Sequence, residues 1–403
     1  YGIPSFKLQK DVIEAEVEVI RLMGAEFRYG VEVGRDVTLD ELRAQGFKAF
    51  YVAIGCQGGR LAGIPGEDAE DVTVAVDFLR EVNSGKIDTL SGRTIVVGGG
   101  NVAIDVARNA CRLGSEHVEM FCLESEAQMP ASEEERREAI EDGAHISCGW
   151  GPKEVHLDET GRVCGITFKR CTRVFDDKGR FAPEYDENDL RRVDADRVVM
   201  SIGQSIVWGD LLAGSKVELG RGQGVLADPQ TYQTAEPDIF VGGDVYTGPS
   251  FAIDAIAAGH EAAVSIHRFV QPGSTLTIGR NQRRYTALDR DDVVLEGYDN
   301  ASREVAHVDR EREKAAPFSE YVETFTEEQV RAETARCLGC GASIVDPNKC
   351  IGCGLCTTKC AFDAIHLDRD RPECSTMVKY EQKLPSLGKY ALKRAIKIKF
   401  GKK

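Results

Sequence analysis

The hydrophobic pattern is clearest between residues 94 and 114, where a continuous run gives way to helical spacing. Thr94–Val97 is β-branched throughout, and three glycines follow it directly. After the glycines, apolar residues return every three or four positions, at Val102, Ala103, Val106, Ala107, Ala110 and Leu113. A buried strand, a tight turn and an amphipathic helix in this order predict the opening of a βαβ unit.

Two other apolar runs end in glycine and also predict buried strands. AFYVAIG covers Ala49–Gly55, and RVVMSIG covers Arg197–Gly203. Ligands of doubly wound sheets bind beyond the carboxyl ends of the strands, so we expect Gly55 and Gly203 to approach a cofactor. Two such runs around the βαβ unit predict an α/β chain with two dinucleotide-binding, Rossmann-like domains.

The remaining periodicity predicts the other elements. Helices are expected over residues 10–23, 38–46, 75–83, 132–143, 251–270 and 326–337. Two of them begin with capping boxes, at Thr38 with Glu41 and at Ser132 with Glu135. Strands are expected over residues 25–33 and 117–124, followed by a meander of strands over residues 145–176.

The glycines after the first strand fit the dinucleotide-binding pattern G-x-G-x-x-A at Gly98, Gly100 and Ala103. The first glycine permits the tight turn, and the second lets the backbone approach a pyrophosphate at the helix N-terminus. We therefore expect a nicotinamide dinucleotide at Gly98, Gly99, Gly100, Asn101 and Val102. The alternative is a glycine-rich turn with a purely structural role.

An acidic residue follows the second predicted strand. Glu124 stands where the ribose-binding acid of such a unit is expected. A carboxylate there accepts both ribose hydroxyls and repels a 2′-phosphate, and no Arg or Lys occurs from Glu119 to Glu135. The pattern favours NAD(H) over NADP(H). A solvated acid at a strand end is the alternative.

A second ligand-facing turn follows the short apolar run Ile239–Val241. Gly243 and Asp244 come after it, and the acid is placed to hydrogen-bond a ribityl or ribose hydroxyl. The helix that begins at Ser250, Phe251 and Ala252 can stabilise a pyrophosphate or an anionic flavin ring. The alternative is that Asp244 only caps a helix.

Composition narrows the functional class. The 403-residue chain carries a net charge of −15, which argues against nucleic acid as a partner. No apolar run is long enough for a transmembrane segment. The C-terminal tail is basic, which suggests either a solvated tail or a docking arm for an acidic subunit. Its cationic residues are Lys389, Lys393, Arg394, Lys397, Lys399, Lys402 and Lys403.

Seven of the thirteen cysteines lie between residues 337 and 374, which favours a metal site in a reducing, cytoplasmic compartment. Cys350, Cys353, Cys356 and Cys360 match the bacterial ferredoxin spacing for a [4Fe-4S] cluster, and zinc is the alternative. In that pattern the fourth cysteine serves another cluster. Cys337, Cys340 and Cys374 are further candidate ligands, so a second cluster stays open.

The motifs GGGNVAIDVAR, GGDVYTGP and FAIDAIAAG, with the opening YGIPSFKLQKDV, resemble the FAD-dependent oxidoreductases related to the small subunit of glutamate synthase. The FAD/NAD half of dihydropyrimidine dehydrogenase and the large subunit of ferredoxin–NADP transhydrogenase share this architecture. The resemblance covers residues 1–270. It implies that Gly98, Gly100 and Asn101 hold the nicotinamide cofactor and that Gly243 and Asp244 hold FAD.

Three features depart from the family pattern. Members carry an FAD-binding G-x-G-x-x-G unit before the YGIP segment, so we expect most of the FAD adenosine site upstream of residue 1. NADPH-dependent members have Tyr-Arg-Arg-Ser-Arg before Met-Pro-Ala. Aligned on Met129–Ala131, this chain has CLESE at residues 122–126, which supports NADH. The clusters of the family often precede the flavin, whereas here they follow it.

The domain organisation expected from these motifs has six parts. They are part of an FAD-binding domain (1–92), an inserted NAD-binding domain (93–204), the rest of the FAD-binding domain (205–272), a connector (273–335), a ferredoxin-like iron–sulfur domain (336–375) and the basic tail (376–403).

The predicted function is an NADH-linked flavoprotein that passes electrons between NAD(H), FAD and [4Fe-4S] to ferredoxin or another electron-transfer subunit. A hetero-oligomeric, electron-bifurcating complex is one setting for it. No catalytic side chain is expected, because the cofactors carry the hydride transfer. The alternatives are an electron-input subunit of the glutamate synthase type, using NAD(P)H, and a non-catalytic scaffold whose clusters act as a wire.

Overall fold

The computed structural model describes residues 2–278, 280, 301–337, 350–359, 365–367 and 379–400. The chain divides into two compact units, residues 1–331 and residues 332–403. The first unit holds the predicted nucleotide-binding turns, and the second holds the cysteine-rich segment.

A five-stranded parallel sheet lies at the centre of the first unit, in the order β3-β10-β4-β5-β6. Its strands are β3 (Val72–Val74), β4 (Arg93–Val97), β5 (His117–Cys122), β6 (His145–Cys148) and β10 (Arg197–Met200). The helices between successive strands are α3 (Ala75–Asn83), α4 (Asn101–Arg112) and α5 (Glu133–Glu141). This alternation confirms the βαβ unit predicted at residues 94–114.

Both faces of this sheet are buried, which explains its continuous apolar runs. On one face, Val96 and Met120 pack against α3 and α4. On the other face, Ile95 and Phe121 pack against a second sheet, and the rings of Phe121 and Phe168 stack with centroids 3.9 Å apart.

That second sheet is a three-stranded antiparallel meander in the order β7-β8-β9. Its strands are β7 (Trp150–Leu157), β8 (Val163–Phe175) and β9 (Phe181–Val193). The meander predicted over residues 145–176 is therefore present only from Trp150, because β6 pairs with β5 in the central sheet, and it continues through β9 to residue 193.

The motifs near residues 50 and 240 meet in a small parallel sheet formed by β1 (Phe50–Val52) and β12 (Ile239–Val241). A short antiparallel pair, β2 (Gly58–Gly59) with β11 (Gln204–Ser205), lies in the segments that lead to and from the central sheet. The helices of these regions are α1 (Lys10–Leu22), α2 (Leu39–Ala44), α6 (Asp244–Thr247) and α7 (Ala252–Phe269).

Residues 301–322, which include α8 (Arg310–Ala315), lie against α4 and α5. Arg112 donates to the carbonyl of Pro317 at 2.7 Å and pairs with Glu313 at 2.6 Å. Arg108 donates to the Tyr321 hydroxyl at 2.5 Å. Both guanidiniums also bind the carboxylate of Asp142, at 2.8 and 2.9 Å. This ionic cluster fastens the connector to the nucleotide-binding region.

The second unit contains the end of α9 (Glu327–Ala335), with α10 (Leu355–Lys359) and α11 (Tyr380–Phe400). Every residue from 381 to 399 in α11 is exposed. Among the described residues, no helix is both long and apolar enough to cross a membrane.

Several predicted boundaries need correction. The strand over residues 25–33 is wrong: the segment makes only an isolated bridge from Val33 to Val37, because no described strand lies beside it to form a ladder. The capping box at Thr38 is confirmed. The box at Ser132 is only half formed, because the Glu135 carboxylate pairs with Lys7.

Candidate functional site

The first glycine of the predicted nucleotide turn is required by the fold itself. Gly98 has φ +145°, a conformation that residues with a side chain rarely adopt. A methyl group placed there would lie 2.3 Å from the carbonyl oxygen of Ser201, which follows β10. Gly98 therefore lets the end of β4 pack against the chain that follows β10.

Gly100 has a different environment. It is the N-cap of α4 with an ordinary extended backbone, φ −90° and ψ 174°. A methyl group placed there would have no described atom within 4 Å apart from those of its neighbours in the chain. The fold therefore does not demand glycine at this position, whereas a pyrophosphate approaching the helix N-terminus would. The open space at Gly100 fits the predicted nucleotide.

The other residues of the turn have more limited roles. The Asn101 side-chain oxygen accepts a hydrogen bond from the backbone N–H of Ser132 at 3.1 Å, so it fixes the neighbouring loop. Val102 packs against the hydrophobic core. A methyl group at Gly99 would lie 2.9 Å from Cβ of Cys122, so β5 requires glycine there.

Glu124 lies beside this turn, two residues beyond the end of β5. Its Oε2 lies 3.1 Å from the position of a methyl group at Gly99, and its carbonyl accepts a hydrogen bond from Gly149 at 3.0 Å. The half-buried carboxylate makes no hydrogen bond or ion pair with any described residue. An unpartnered carboxylate at the glycine turn is what a ribose diol needs.

The Cys122 thiol near Glu124 remains uncharged, because its pKa is raised. The Cys122 and Cys148 sulfurs are 3.7 Å apart on neighbouring strands. Burial raises the pKa of the Cys122 thiol, and the neighbouring Cys148 raises it further. Glu124 is therefore not opposed by a Cys122 thiolate at this edge of the sheet.

The structure brings Gly55 and Asp244 together but places Gly203 elsewhere. A methyl group at Gly55, which has φ +66°, would lie 3.9 Å from Oδ2 of Asp244. Gly203 follows β10 in the central sheet, where its methyl position would lie 3.4 Å from Cδ of Arg60. Both glycines lie beyond their strands, because β1 ends at Val52 and β10 ends at Met200.

The turn after β12 is fixed by its own hydrogen bonds. Gly243 has φ 66° and ψ −154°, a region open almost only to glycine. Asp244 is the first residue of α6 rather than its cap, and its Oδ1 accepts a hydrogen bond from the Ser250 backbone N–H at 3.2 Å. Phe251 is the N-cap of α7, and its side chain and that of Ala252 are exposed.

One further polar group near this turn was not predicted from the sequence. The Tyr51 hydroxyl is buried and has no hydrogen-bond partner among the described residues. Burial raises the pKa of Tyr51, so the group stays protonated and can donate. Tyr51, Gly55 and Trp208 line a cavity of about 1000 Å³. The sequence feature that could have indicated this group is the tyrosine hydroxyl within the otherwise apolar run AFYVAIG.

The cysteine motif is described only in part. Cys337, Cys350, Cys353 and Cys356 are exposed, whereas Cys340, Cys360 and Cys374 lie outside the described residues. No group of three metal-ligating side chains is assembled within the described residues. Gly352 and Gly354 have φ 65° and 76°, and the Gly352 N–H donates to the Cys350 sulfur at 3.4 Å. A backbone N–H directed at a cysteine sulfur suits a cluster thiolate.

Residues 4–259 match the pyridine nucleotide-disulphide oxidoreductase family, and residues 343–366 match the 4Fe-4S binding domain. The first match covers more than half of the chain, so the chain belongs to this family. The predicted fold class, a Rossmann-like flavoprotein with a C-terminal ferredoxin-like domain, is confirmed.

Two curated relatives are similar over much of the chain. The NADP(+)-dependent formate dehydrogenase subunit beta of Moorella thermoacetica is 33% identical over 358 residues, which cover 84% of this chain and 48% of the relative. The glutamate synthase [NADPH] small chain of Escherichia coli is 33% identical over 290 residues, which cover 67% of this chain and 60% of the relative. The second relative confirms the predicted family resemblance. The chain spans about half the length of such relatives.

Among solved structures, FprA of Mycobacterium tuberculosis in complex with NADPH has a similar fold. It aligns with a TM-score of 0.53 at 20% identity and covers 66% of this chain and 73% of its own.

Proposed function

We propose that this chain is an electron-input subunit that takes electrons from a nicotinamide nucleotide, preferably NADH, and delivers them through FAD and a [4Fe-4S] cluster to a partner. The observation that carries this proposal is Gly100, a glycine that the fold does not require, at a helix N-terminus beside the unpartnered Glu124. The bound cofactors supply the chemistry, which is hydride transfer between nicotinamide and flavin and single-electron transfer to the cluster.

The residues of the nucleotide site bind and orient rather than react. The N-terminus of α4 offers unpaired N–H groups and the positive end of the helix dipole to a pyrophosphate. Glu124 offers two acceptor oxygens to a ribose diol. These roles of Gly100 and Glu124 argue against a scaffold, because packing alone explains neither the missing side chain nor the unpaired acid.

The proposed FAD domain combines residues 1–92 and 205–272 around β1 and β12. Asp244 faces Gly55 across the ends of these strands, and the Tyr51 hydroxyl is an unused donor in the same region. Helix α1 has no buried residue, and its apolar positions Leu22 and Val19 are exposed. Helix α1 therefore presents apolar side chains that the described residues leave uncovered.

We assign the exit of electrons to the cysteine segment and the docking of a partner to α11. Cys350, Cys353 and Cys356 would supply three cluster ligands, with Cys360 serving this or another cluster. The cationic residues of α11 are fully exposed on a chain that is acidic overall, which supports an acidic partner. Both curated relatives carry names of subunits or chains of larger enzymes.

The coenzyme preference rests on Glu124, whereas the names of both curated relatives specify NADP(H). A carboxylate at the ribose disfavours the 2′-phosphate of NADP(H) by like-charge repulsion. NADH is therefore the proposed donor. The similarity to the glutamate synthase small chain supports a second candidate, in which the partner uses the electrons for amidotransfer.

The test is an anaerobic titration of the full-length, cofactor-loaded protein with NADH and, separately, NADPH. We expect NADH to bleach the flavin absorbance at lower concentration than NADPH, and an EPR signal of the reduced cluster to follow. Failure of both nucleotides to reduce the flavin would refute the proposed function. Equal reduction by both would refute the NADH preference alone.

A further inference from the structure

A second charged side chain, from a distant part of the sequence, lies against the glycine whose N–H binds the Glu124 carbonyl. Gly149 follows β6 and has φ +79°. Its N–H donates to the carbonyl of Glu124, and a methyl group placed on it would lie 3.2 Å from the guanidinium carbon of Arg170. Arg170 belongs to β8 of the meander. The backbone carbonyl of Glu124 and the guanidinium of Arg170 therefore both contact Gly149, while the Glu124 carboxylate lies against Gly99.

Neither the Glu124 carboxylate nor the Arg170 guanidinium has a charged partner within the part of the chain that the structure describes. The Arg170 guanidinium lies 5.2 Å from the ring centroid of Trp150 but makes no ion pair or side-chain hydrogen bond with any described residue. Most other arginines of the meander are paired. Arg173 binds Glu184, and Arg191 binds Glu119 at 2.8 Å. An exposed guanidinium stacked on a tryptophan is held in place while its N–H donors stay free.

We infer that Arg170 is a specificity-determining residue that admits a 2′-phosphate at the ribose edge and so opposes the selectivity of Glu124. This inference rests on the proposed function, because it assumes that the dinucleotide binds at the Gly100 turn. The planar guanidinium offers paired donors that match a phosphate, whereas the carboxylate offers acceptors that match a diol. With the Glu124 carboxylate against Gly99 and the Arg170 guanidinium against Gly149, the site balances NADH against NADPH.

The position of Arg170 also bears on the lack of basic residues between residues 119 and 135. The absence of Arg and Lys from that segment predicts that nothing neutralises a 2′-phosphate. The antiparallel pairing of β7 with β8 sets Trp150 opposite Arg170 and carries a cation to the edge from outside the segment. NADPH should therefore bind this protein more tightly than Glu124 alone would allow.

The experiment measures the binding of adenosine fragments, so it depends neither on flavin nor on turnover. Calorimetry on the full chain compares ADP with adenosine 2′,5′-bisphosphate for the wild type, Arg170→Gln and Glu124→Gln. Arg173→Gln is the matched control, because Arg173 lies on the same strand but is paired with Glu184. The folded state of each variant is checked by urea unfolding.

We expect Arg170→Gln to weaken the 2′,5′-bisphosphate about tenfold or more, since a hydrogen bond to a charged group is worth at least that factor. Its effect on ADP should be less than about twofold. Glu124→Gln should shift the ratio of the two affinities the other way, and Arg173→Gln should leave it unchanged.

Two outcomes would overturn different statements. If ADP binds but Arg170→Gln leaves the ratio of the two affinities unchanged, Arg170 is only a stacking partner of Trp150 and the inference fails. If neither fragment binds the wild type, the nucleotide site at Gly100 fails, and the proposed function fails with it.

Discussion

Two glycines of one turn should respond in opposite ways to the same substitution. In Gly98→Ala, the methyl group meets the Ser201 carbonyl oxygen at 2.3 Å, at a backbone angle of φ +145°. A strained backbone angle costs about 1–3 kcal/mol, and overpacking costs a further 1–3 kcal/mol or so. We therefore expect Gly98→Ala to lose about 2–6 kcal/mol of the free energy of unfolding.

Gly100→Ala should leave the free energy of unfolding nearly unchanged. The methyl group meets no described atom within 4 Å apart from its neighbours in the chain, and φ is −90°. Alanine is a poorer N-cap than glycine by about 1 kcal/mol, but it lowers the entropy of the unfolded chain by about 0.4–1 kcal/mol. These two contributions nearly cancel. The methyl group instead occupies the space that a pyrophosphate needs, so nucleotide affinity should fall about tenfold or more.

The assay pairs urea unfolding, followed by tryptophan fluorescence, with calorimetric binding of NADH. Gly98→Ala serves as the stability control, and Gly100→Ala reports on the ligand. The reasoning would be refuted if Gly100→Ala bound NADH as tightly as the wild type. It would also be refuted if Gly100→Ala unfolded at the low urea concentration expected for Gly98→Ala, because the fold would then require that glycine too.

Two other substitutions test the buried polar groups. Asp142→Ala removes the carboxylate that the buried guanidiniums of Arg108 and Arg112 share, while Glu138 and Glu313 still pair with them, so the free energy of unfolding in urea should fall by about 1.5–3 kcal/mol. Tyr51→Phe removes a buried hydroxyl that has no described partner, so it should not destabilise the flavin-free protein. The same change should weaken FAD binding up to about tenfold after deflavination and reconstitution, and an unchanged FAD affinity would remove Tyr51 from the site.

The local parts of the fold were predictable because their signals lie within one short segment. The run at residues 94–97, its glycines and the apolar spacing of α4 specify strand, turn and helix without reference to the rest of the chain. The capping box at Thr38 is equally local. The strand over residues 25–33 was wrong because alternation alone does not supply a neighbouring strand, and an unpaired segment has no ladder to join.

The contacts between distant segments could not be predicted in this way. Arg170 reaches Gly149 only because β8 pairs with β7, and the sequence around it resembles any charged strand. Arg108 and Arg112 lie outside the apolar positions of α4, which would suggest exposure to solvent. Contacts from residues 301–322 cover them instead. The Tyr51 hydroxyl is a similar case, since only packing shows that it lacks a partner.

Helix α4 links these local and distant features. Its N-terminus carries the glycine turn, and Arg108 and Arg112 lie on its later turns, about 12 and 18 Å along the helix from Gly100 at 1.5 Å per residue. The connector therefore holds the helix at the end opposite the proposed pyrophosphate site. A loss of the ionic cluster should lower stability and weaken both nucleotides equally, because it displaces the whole helix. A change at Glu124 or Arg170 should alter the choice between nucleotides while leaving the position of the helix unchanged. The two kinds of variant therefore separate the residues that place the site from the residues that select its ligand.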